Sequence, residues 1–435
     1  MSVPESPVGQ RSETVRRANL SAIARELHLR GPHSRSELGL RTGLTRSAIR
    51  GLIGELSVAG LVDEVRSSSA GLPGRPSPIV RPDPQAAVVL ALEINVDSLA
   101  AALVGFGGTV HDLRRADRPR GHLSSEAIVG DLVELVTPML AAHGSRRILA
   151  IGVGVAGVVR RSDGLVRHAP NLGWRDVPLG QALSRALGLD LPLSVANEAD
   201  LGGLAEHRRG AAIGASAVIY VAGEVGVGGN LLVDGQPVVG AAGYAGEIGH
   251  MPVNPEGAAC GCGSIGCWET EIGERAMLLR AGRPADGGRE AVASLIDAAQ
   301  SGDPAATAAM EHTGTWLGIG LAGLVNIFNP GLIVLGGLLG RVHPLIAEQV
   351  EAVLDRRALS ASRELVGVVP AALGVDGAVL GAAELAFEAF LADPTARLRG
   401  APAAGSASAD DTPKSAITTV GSRPESALVA RRGGA

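Results

Sequence analysis

Near the front of the chain, apolar residues recur at helical spacing. Further on they gather into near-continuous runs, so the pattern predicts two kinds of unit. Leu20, Ile23, Ala24 and Leu27 share one helical face, which Gly31-Pro32 ends. Ser34-Arg35-Ser36-Glu37 reads as a capping box: the serine hydroxyl takes the Glu37 amide proton and the glutamate returns to the Ser34 amide. The short helix it opens stops near Gly43. Thr45 then caps a third helix whose apolar face is Ile49, Leu52, Ile53 and Leu56. The LVDEV run (61–65) follows as a strand, and the Gly- and Pro-rich stretch 71–78 reads as the tip of a hairpin.

From about Gln85 the texture changes. Runs at 86–94, 148–159, 216–223 and 332–337 read as buried strands, with helices such as 124–143 and 289–301 between or after them. That mixture predicts an α/β body with sheets covered on both faces. The stretch between Glu311 and Arg341 holds no Asp, Glu, Lys or Arg, but Asn326, Asn329 and Pro330 divide it. A buried helix followed by a buried strand explains it better than a membrane span. The expected organisation is a disordered 1–13, a helical unit at 14–82, an α/β unit at 83–395 and a disordered tail at 396–435, rich in Ala, Ser, Gly, Pro and Thr.

A length of 435 residues exceeds one ordinary core, and 19% charged with 46% hydrophobic residues suits a globular protein. Three cysteines cannot build a disulfide framework, which points to a reducing compartment and raises metal ligation instead. No apolar stretch suggests a signal peptide, so the expected location is cytoplasmic. The net charge of -5 conceals an asymmetry: residues 1–82 carry +5, residues 83–395 carry -13 and residues 396–435 carry +3. A basic front end on an acidic body suits a unit that meets phosphate joined to one that does not.

Two helices joined at Gly43 and followed by a strand pair fit a winged helix-turn-helix. Arg46, Ser47 and Arg50 stand opposite the apolar face of the third helix near its N-terminal end, where a recognition helix meets base edges. Thr45 with the helix N-terminus suits a backbone phosphate, and Arg75 on the wing suits a minor groove. The competing interpretation is a three-helix protein-interaction module with a solvated arginine face.

The strongest local signal is His250 with Cys260, Cys262 and Cys267. All three cysteines fall within eight residues, and three thiolates plus an imidazole complete a closed, structural Zn2+ shell, one per chain. Three reduced cysteines beside an unrelated histidine is the plainer alternative. Glu247 and Glu269 bracket the loop, where fixed carboxylates and an imidazole suit sugar hydroxyls.

At these residues the chain resembles the ROK family of sugar-responsive repressors and sugar kinases, over about 14–392. GEIGH (246–250) matches that family's Gly-Glu-x-Gly-His motif, and CGCGSIGCWE (260–269) matches its cysteine motif without departure. The front end with its Gly-Arg-Pro wing resembles the repressor branch. NIFNPGLIVLGG (326–337) resembles the segment lining the nucleotide side of the kinase cleft, and VANEADLGGLAE (195–206) stands where the family has Asn-Asp-Ala-Asn. The resemblance implies a two-lobed, actin-like (ribonuclease H-like) domain behind the winged helix. It also implies sugar contacts from Asn197, Glu247, His250 and Glu269, with Glu198 at the kinase base position and Asn171 on another sugar-side loop.

The departures from the kinase pattern decide the expected activity. A phosphate loop of this fold needs two glycines and a threonine; here Asn95 and Val96 replace the glycines and Asp97 the threonine. The second loop reads Glu224-Val225-Gly226 in place of Gly-Thr-Gly, and Glu198 replaces the usual Asp, displacing a base by one methylene. The expectation is a non-enzymatic regulator, with operator DNA and a sugar or sugar-phosphate effector as partners, acting as a homo-oligomer (dimer or tetramer) away from membranes. The alternatives are an ATP-dependent sugar kinase with an appended DNA-binding unit, and a zinc-stabilised interaction protein that binds no sugar.

Overall fold

The computed structural model describes residues 12–65, 77–121, 123–144 and 146–395. Arg75, most of the expected hairpin tip, residues 1–11 and the tail from 396 lie outside the described residues. The first helix begins at Ser12, just inside the stretch expected to be disordered.

Three helices, α1 (Ser12–Arg30), α2 (Arg35–Thr42) and α3 (Arg46–Val58), stand with three short strands, β1 (His33–Ser34), β2 (Val62–Val65) and β3 (Ile79–Pro82), in the order β1-β3-β2. The capping box is formed: the Glu37 amide donates to Ser34 Oγ at 3.2 Å and the Ser34 amide donates to Glu37 Oε2 at 2.7 Å. Gly43 takes a left-handed conformation with φ +71°, which lets α2 stop and the chain turn into α3 without a Cβ penalty. The apolar stripes of α1 and α3 are buried against each other.

The first lobe comprises β4 (Val88–Ile94), β5 (Ser98–Gly105), β6 (Val110–Asp117), α4 (Ser125–Ala142), β7 (Ile148–Val155), a side sheet of β8 (Val158–Arg160), β9 (Leu165–Ala169) and β10 (Trp174–Val177), then α5 (Leu179–Leu187), β11 (Leu193–Asn197) and α6 (Glu198–Arg209). Its main sheet runs β11-β7-β4-β5-β6, antiparallel from β4 to β6 and parallel from β4 to β11.

The second lobe comprises β12 (Ala217–Gly223), β13 (Val227–Val233), β14 (Gln236–Pro237), α7 (Glu269–Ile272), α8 (Glu274–Arg280), α9 (Gly288–Gln300), α10 (Pro304–Phe328), β15 (Leu332–Gly336), α11 (Gly337–Arg357), α12 (Ser360–Arg363) and β16 (Gly367–Pro370). Its sheet runs β16-β15-β12-β13-β14 with the same alternation of parallel and antiparallel pairs. One topology is thus used twice, as expected of a two-lobed actin-like body. The uncharged stretch 312–340 forms α10 and β15, divided at Asn329 with φ 45°, and among the described residues no helix is long and apolar enough to cross a membrane.

The last helix, α13 (Gly377–Ala392), leaves the second lobe and packs beneath the first. Phe387, Phe390 and Leu391 enter one apolar cluster with Ala87, Val89 and Phe106 of the first lobe and Leu20, Ile23 and Ile53 of the front unit. The front unit and the first lobe therefore share a core.

Candidate functional site

The His-Cys loop is shaped by its own backbone. The Cys260 amide donates to the Ser264 carbonyl at 2.8 Å, and isolated bridges join Pro252 to Cys267 and Ala259 to Ile265. Trp268, next to Cys267, is fully buried and anchors the loop by donating from its indole N–H to the Trp316 carbonyl at 2.8 Å. Gly320 makes room for that ring, since a Cβ there would fall 2.1 Å from it.

This anchoring brings His250, Cys260, Cys262 and Cys267 together, with their donor atoms all within 4.8 Å of one another. Cys262 Sγ lies 3.6 Å from Cys267 Sγ, and Cys260 Sγ lies 3.6 Å from His250 Nδ1. In a tetrahedral zinc shell, neighbouring donors stand roughly 3.5–3.8 Å apart. The donor set and its spacing fit zinc.

With Nδ1 turned to the thiolates, His250 Nε2 lies 4.0 Å from Glu247, and Glu269 stands 3.6 Å from Nδ1 at the start of α7. Glu269 Oε2 and Asn171 Nδ2 both approach Gly226, at the start of the second lobe's β13 strand, so four of the expected sugar-side residues converge. Glu198 opens α6, with Oε1 approaching Gly228 on that strand, while its Oε2 is buried and has no hydrogen-bond partner. Burial pushes the Glu198 carboxyl up to about 8, helped by the nearby charges of Glu247 and Asp200. Glu247 is likewise raised, mainly by burial.

Asn197 lines the same pocket, but its side chain is engaged in the frame. Oδ1 accepts from the Ala199 and Asp200 amides at 2.7 and 3.3 Å, capping α6, and Nδ2 donates to the Gly157 carbonyl at 3.0 Å. The geometry makes Asn197 a cap that aims Glu198. Two pocket residues escaped the sequence reading: Asp200 and Arg161, which pair at 2.7 Å. Asp200 sat in plain view at the second Asn of the family's run; Arg161 lies 39 residues away and carries no local signal.

Beyond Glu198 the cleft opens into a cavity of about 290 Å³, lined among others by Glu93, Arg115, Tyr220, Glu224, Arg289 and Gly337. Leu335, Gly337 and Leu338 belong to or follow the 326–337 segment expected on that side. The first phosphate-loop stretch is a tight β4–β5 turn, closed by the Asn95 amide donating to the Ser98 carbonyl at 2.9 Å. Its Asp97 accepts from Arg120 at 2.9 Å and from Arg289 at 2.7 Å. Glu93 accepts from Arg115 at 3.2 Å. Glu224 stands in the second turn, where burial pushes its carboxyl up to about 7.

At the front unit, Thr45 caps α3 by accepting the Ala48 amide at 3.3 Å, and Arg46, Ser47 and Arg50 are exposed. Neighbouring arginines are committed: Arg16 to Glu55, Arg25 to Glu388, Arg35 to Glu64 and Arg41 to Glu26. Among the described residues, Arg46 and Arg50 have no acidic partner. They form a small cationic face at the N-terminal end of α3.

Comparison with known proteins places these features in one lineage. The ROK family model matches residues 89–389. The chain belongs to the ROK family. A xylose repressor of Bacillus spizizenii is 26% identical over 87% of this chain and 97% of its own length. A glucokinase of Streptomyces coelicolor is 30% identical, but over 69% of this chain and 98% of its own. The crystal structure of a ROK family transcriptional regulator, homologous to the Escherichia coli Mlc protein, superposes with a TM-score of 0.74 over 89% of this chain and all of that one, at 24% identity. The ROK regulators thus match the front unit together with the two lobes, whereas the glucokinase is nearly exhausted by a much smaller share of the chain.

Proposed function

We propose that this ROK protein is a sugar-responsive transcriptional repressor, whose winged helix-turn-helix reads operator DNA and whose cleft binds the effector. The observation that carries it is the charge arrangement. Arg46 and Arg50 have no acidic partner among the described residues at the reading end of α3, while the turn that would cradle nucleotide phosphates holds Asp97 in the grip of two arginines. The regulators' greater coverage of the chain supports the same reading.

Glu247, His250, Glu269, Glu198 and Asn171 are the effector contacts in this reading, with Asn197 capping the helix that presents Glu198. A sugar hydroxyl, which both donates and accepts, gives the unpartnered Glu198 oxygen a hydrogen-bond partner and removes the cost of a lone buried polar atom. His250, Cys260, Cys262 and Cys267 would hold a zinc ion with all four positions taken by the protein, so the ion would supply rigidity and not catalysis. Such a clamp would keep His250 and the start of α7 in register with the pocket. The active form is a cytoplasmic homo-oligomer, dimer or tetramer, because paired reading helices must sit about one DNA turn apart. An effector that prefers one lobe arrangement changes that spacing.

The wing residue Arg75 and the helix-cap residue Thr45 complete the DNA contacts as minor-groove and phosphate ligands. A thermal-shift screen with free and phosphorylated sugars, followed by a DNA-binding assay with each hit, tests the reading. Absence of any carbohydrate shift favours the interaction-protein alternative.

The identity to a glucokinase keeps one rival in view, a sugar kinase carrying a DNA-binding unit. Incubation with ATP and the sugar panel separates the two: sugar-dependent ADP release that Glu198→Ala abolishes restores the kinase.

A further inference from the structure

Helix α6 begins in the effector pocket and ends at the front unit. Its first turn carries Glu198 with the unpartnered oxygen, and Asp200 beside Arg161. Twelve residues long, it spans about 18 Å. Its last turn carries Arg208 and Arg209 into a buried junction with α1 and α13.

There Arg209 Nε donates to Glu384 Oε1 at 2.5 Å and Arg209 Nη2 donates to the His28 carbonyl at 3.3 Å. Arg208 donates to Glu384 Oε2 at 3.1 Å and also to Glu388, which accepts from Arg25 of α1 at 2.8 Å. His28 of α1 accepts the Gly107 amide on Nδ1 at 3.1 Å, and its Nε2 faces Glu384 at 3.3 Å. Phe106 and Phe387 flank the imidazole. The Glu384 side chain is 1% exposed and that of Arg208 8%, so no solvent replaces a lost partner. Glu206, one turn back, accepts the Ala372 and Leu373 amides and ties the same helix end to the segment entering α13.

A rigid rod whose far end sits in such a cluster cannot shift alone. Either α1 follows it, or a buried carboxylate loses its cation. We propose that Arg208 and Arg209 are positioning residues that convert effector binding at the first turn of α6 into a reorientation of the DNA-reading unit, through Glu384, Glu388, Arg25 and His28. The inference rests on the repressor reading and adds the physical route, a helix whose two ends both sites bias.

The test compares full-length parent, Arg209→Gln and Arg25→Ala. Three measurements are made: thermal shift with D-xylose and D-glucose, affinity for a DNA duplex selected from random sequence by the parent, and amide hydrogen exchange of residues 198–203 with and without that duplex. The parent should show a sugar effect on duplex affinity of about 5–150-fold, and each variant less than about twofold while still binding sugar and duplex separately. Duplex binding should alter exchange at 198–203 in the parent and leave it unchanged in Arg209→Gln.

A variant that keeps the parent's full sugar effect overturns the proposal, as does a parent whose exchange at 198–203 ignores the duplex. If neither sugar shifts the parent, the effector reading is in trouble, and the exchange experiment still decides the route. If Arg209→Gln does not fold, Arg25→Ala decides, since Arg25 and Glu388 are each about one-third exposed. A parent that selects no duplex overturns both the route and the repressor reading.

Discussion

Asp97 of the first lobe and Arg289 of the second meet at 2.7 Å, on the turn where a kinase of this fold would hold a phosphate. Arg120 joins them, donating to Asp97 at 2.9 Å and pairing with Glu274 of α8. The Asp97 carboxylate thus fastens one lobe to the other. Asp97→Asn should lower stability by about 1–3 kcal/mol and speed hydrogen exchange at 95–98, because two guanidinium groups lose a shared carboxylate. A urea melt superposable on the parent's would show that the contact holds nothing.

Glu224 gives a pH prediction with a defined sign. Burial raises its carboxyl from an ordinary 4.5 to about 7, so the folded chain holds this proton more tightly than the unfolded chain. Its stabilising contribution is complete below pH 4.5 and lost as pH rises through about 7. Glu224→Gln should match the parent at pH 4 and exceed it by about 3 kcal/mol at pH 8. Melting curves at both values check this; a constant offset between them would assign the effect to packing.

Cys262→Ser removes the exposed member of the four-donor cluster. Metal content should fall from one zinc per chain towards none, stability should drop by on the order of 3 kcal/mol, and the sugar-induced thermal shift should go with it. Elemental analysis paired with melting separates the parts. Zinc loss with an intact sugar shift would mean that the metal does not organise the pocket.

Arg46→Ala and Arg50→Ala should each weaken operator binding by about 1–3 kcal/mol and leave melting temperature and sugar shift unchanged, since both side chains project into solvent. Anisotropy titrations at two salt concentrations measure it. Parent-like affinity in both variants would move the DNA contact off α3.

The front unit was legible because its signals are local: Ser34 and Glu37 lie three residues apart, Thr45 begins its own helix, and the stripes of α1 and α3 repeat every turn. The four apolar strands and the break at Asn329 were readable for the same reason. The cysteine cluster was legible as a group, since three donors fall in eight residues. The run expected as one strand at 148–159 is split into β7 and β8, and β9 and β10 of the side sheet carry no continuous apolar run to announce them. Nothing near Glu384 distinguishes it from a surface glutamate, because its partner His28 lies 356 residues away. The family resemblance marks Asn197 as a sugar contact, and only coordinates add that its Oδ1 also closes the start of a helix.

Because Phe387, Phe390 and Leu391 complete the cluster that also contains Leu20 and Ile53, the seat of the front unit on the first lobe is finished only when a helix more than three hundred residues further along has been made. A message cut short upstream of α13 should leave that seat half built, and the helix that meets DNA loosely coupled to whatever fills the cleft.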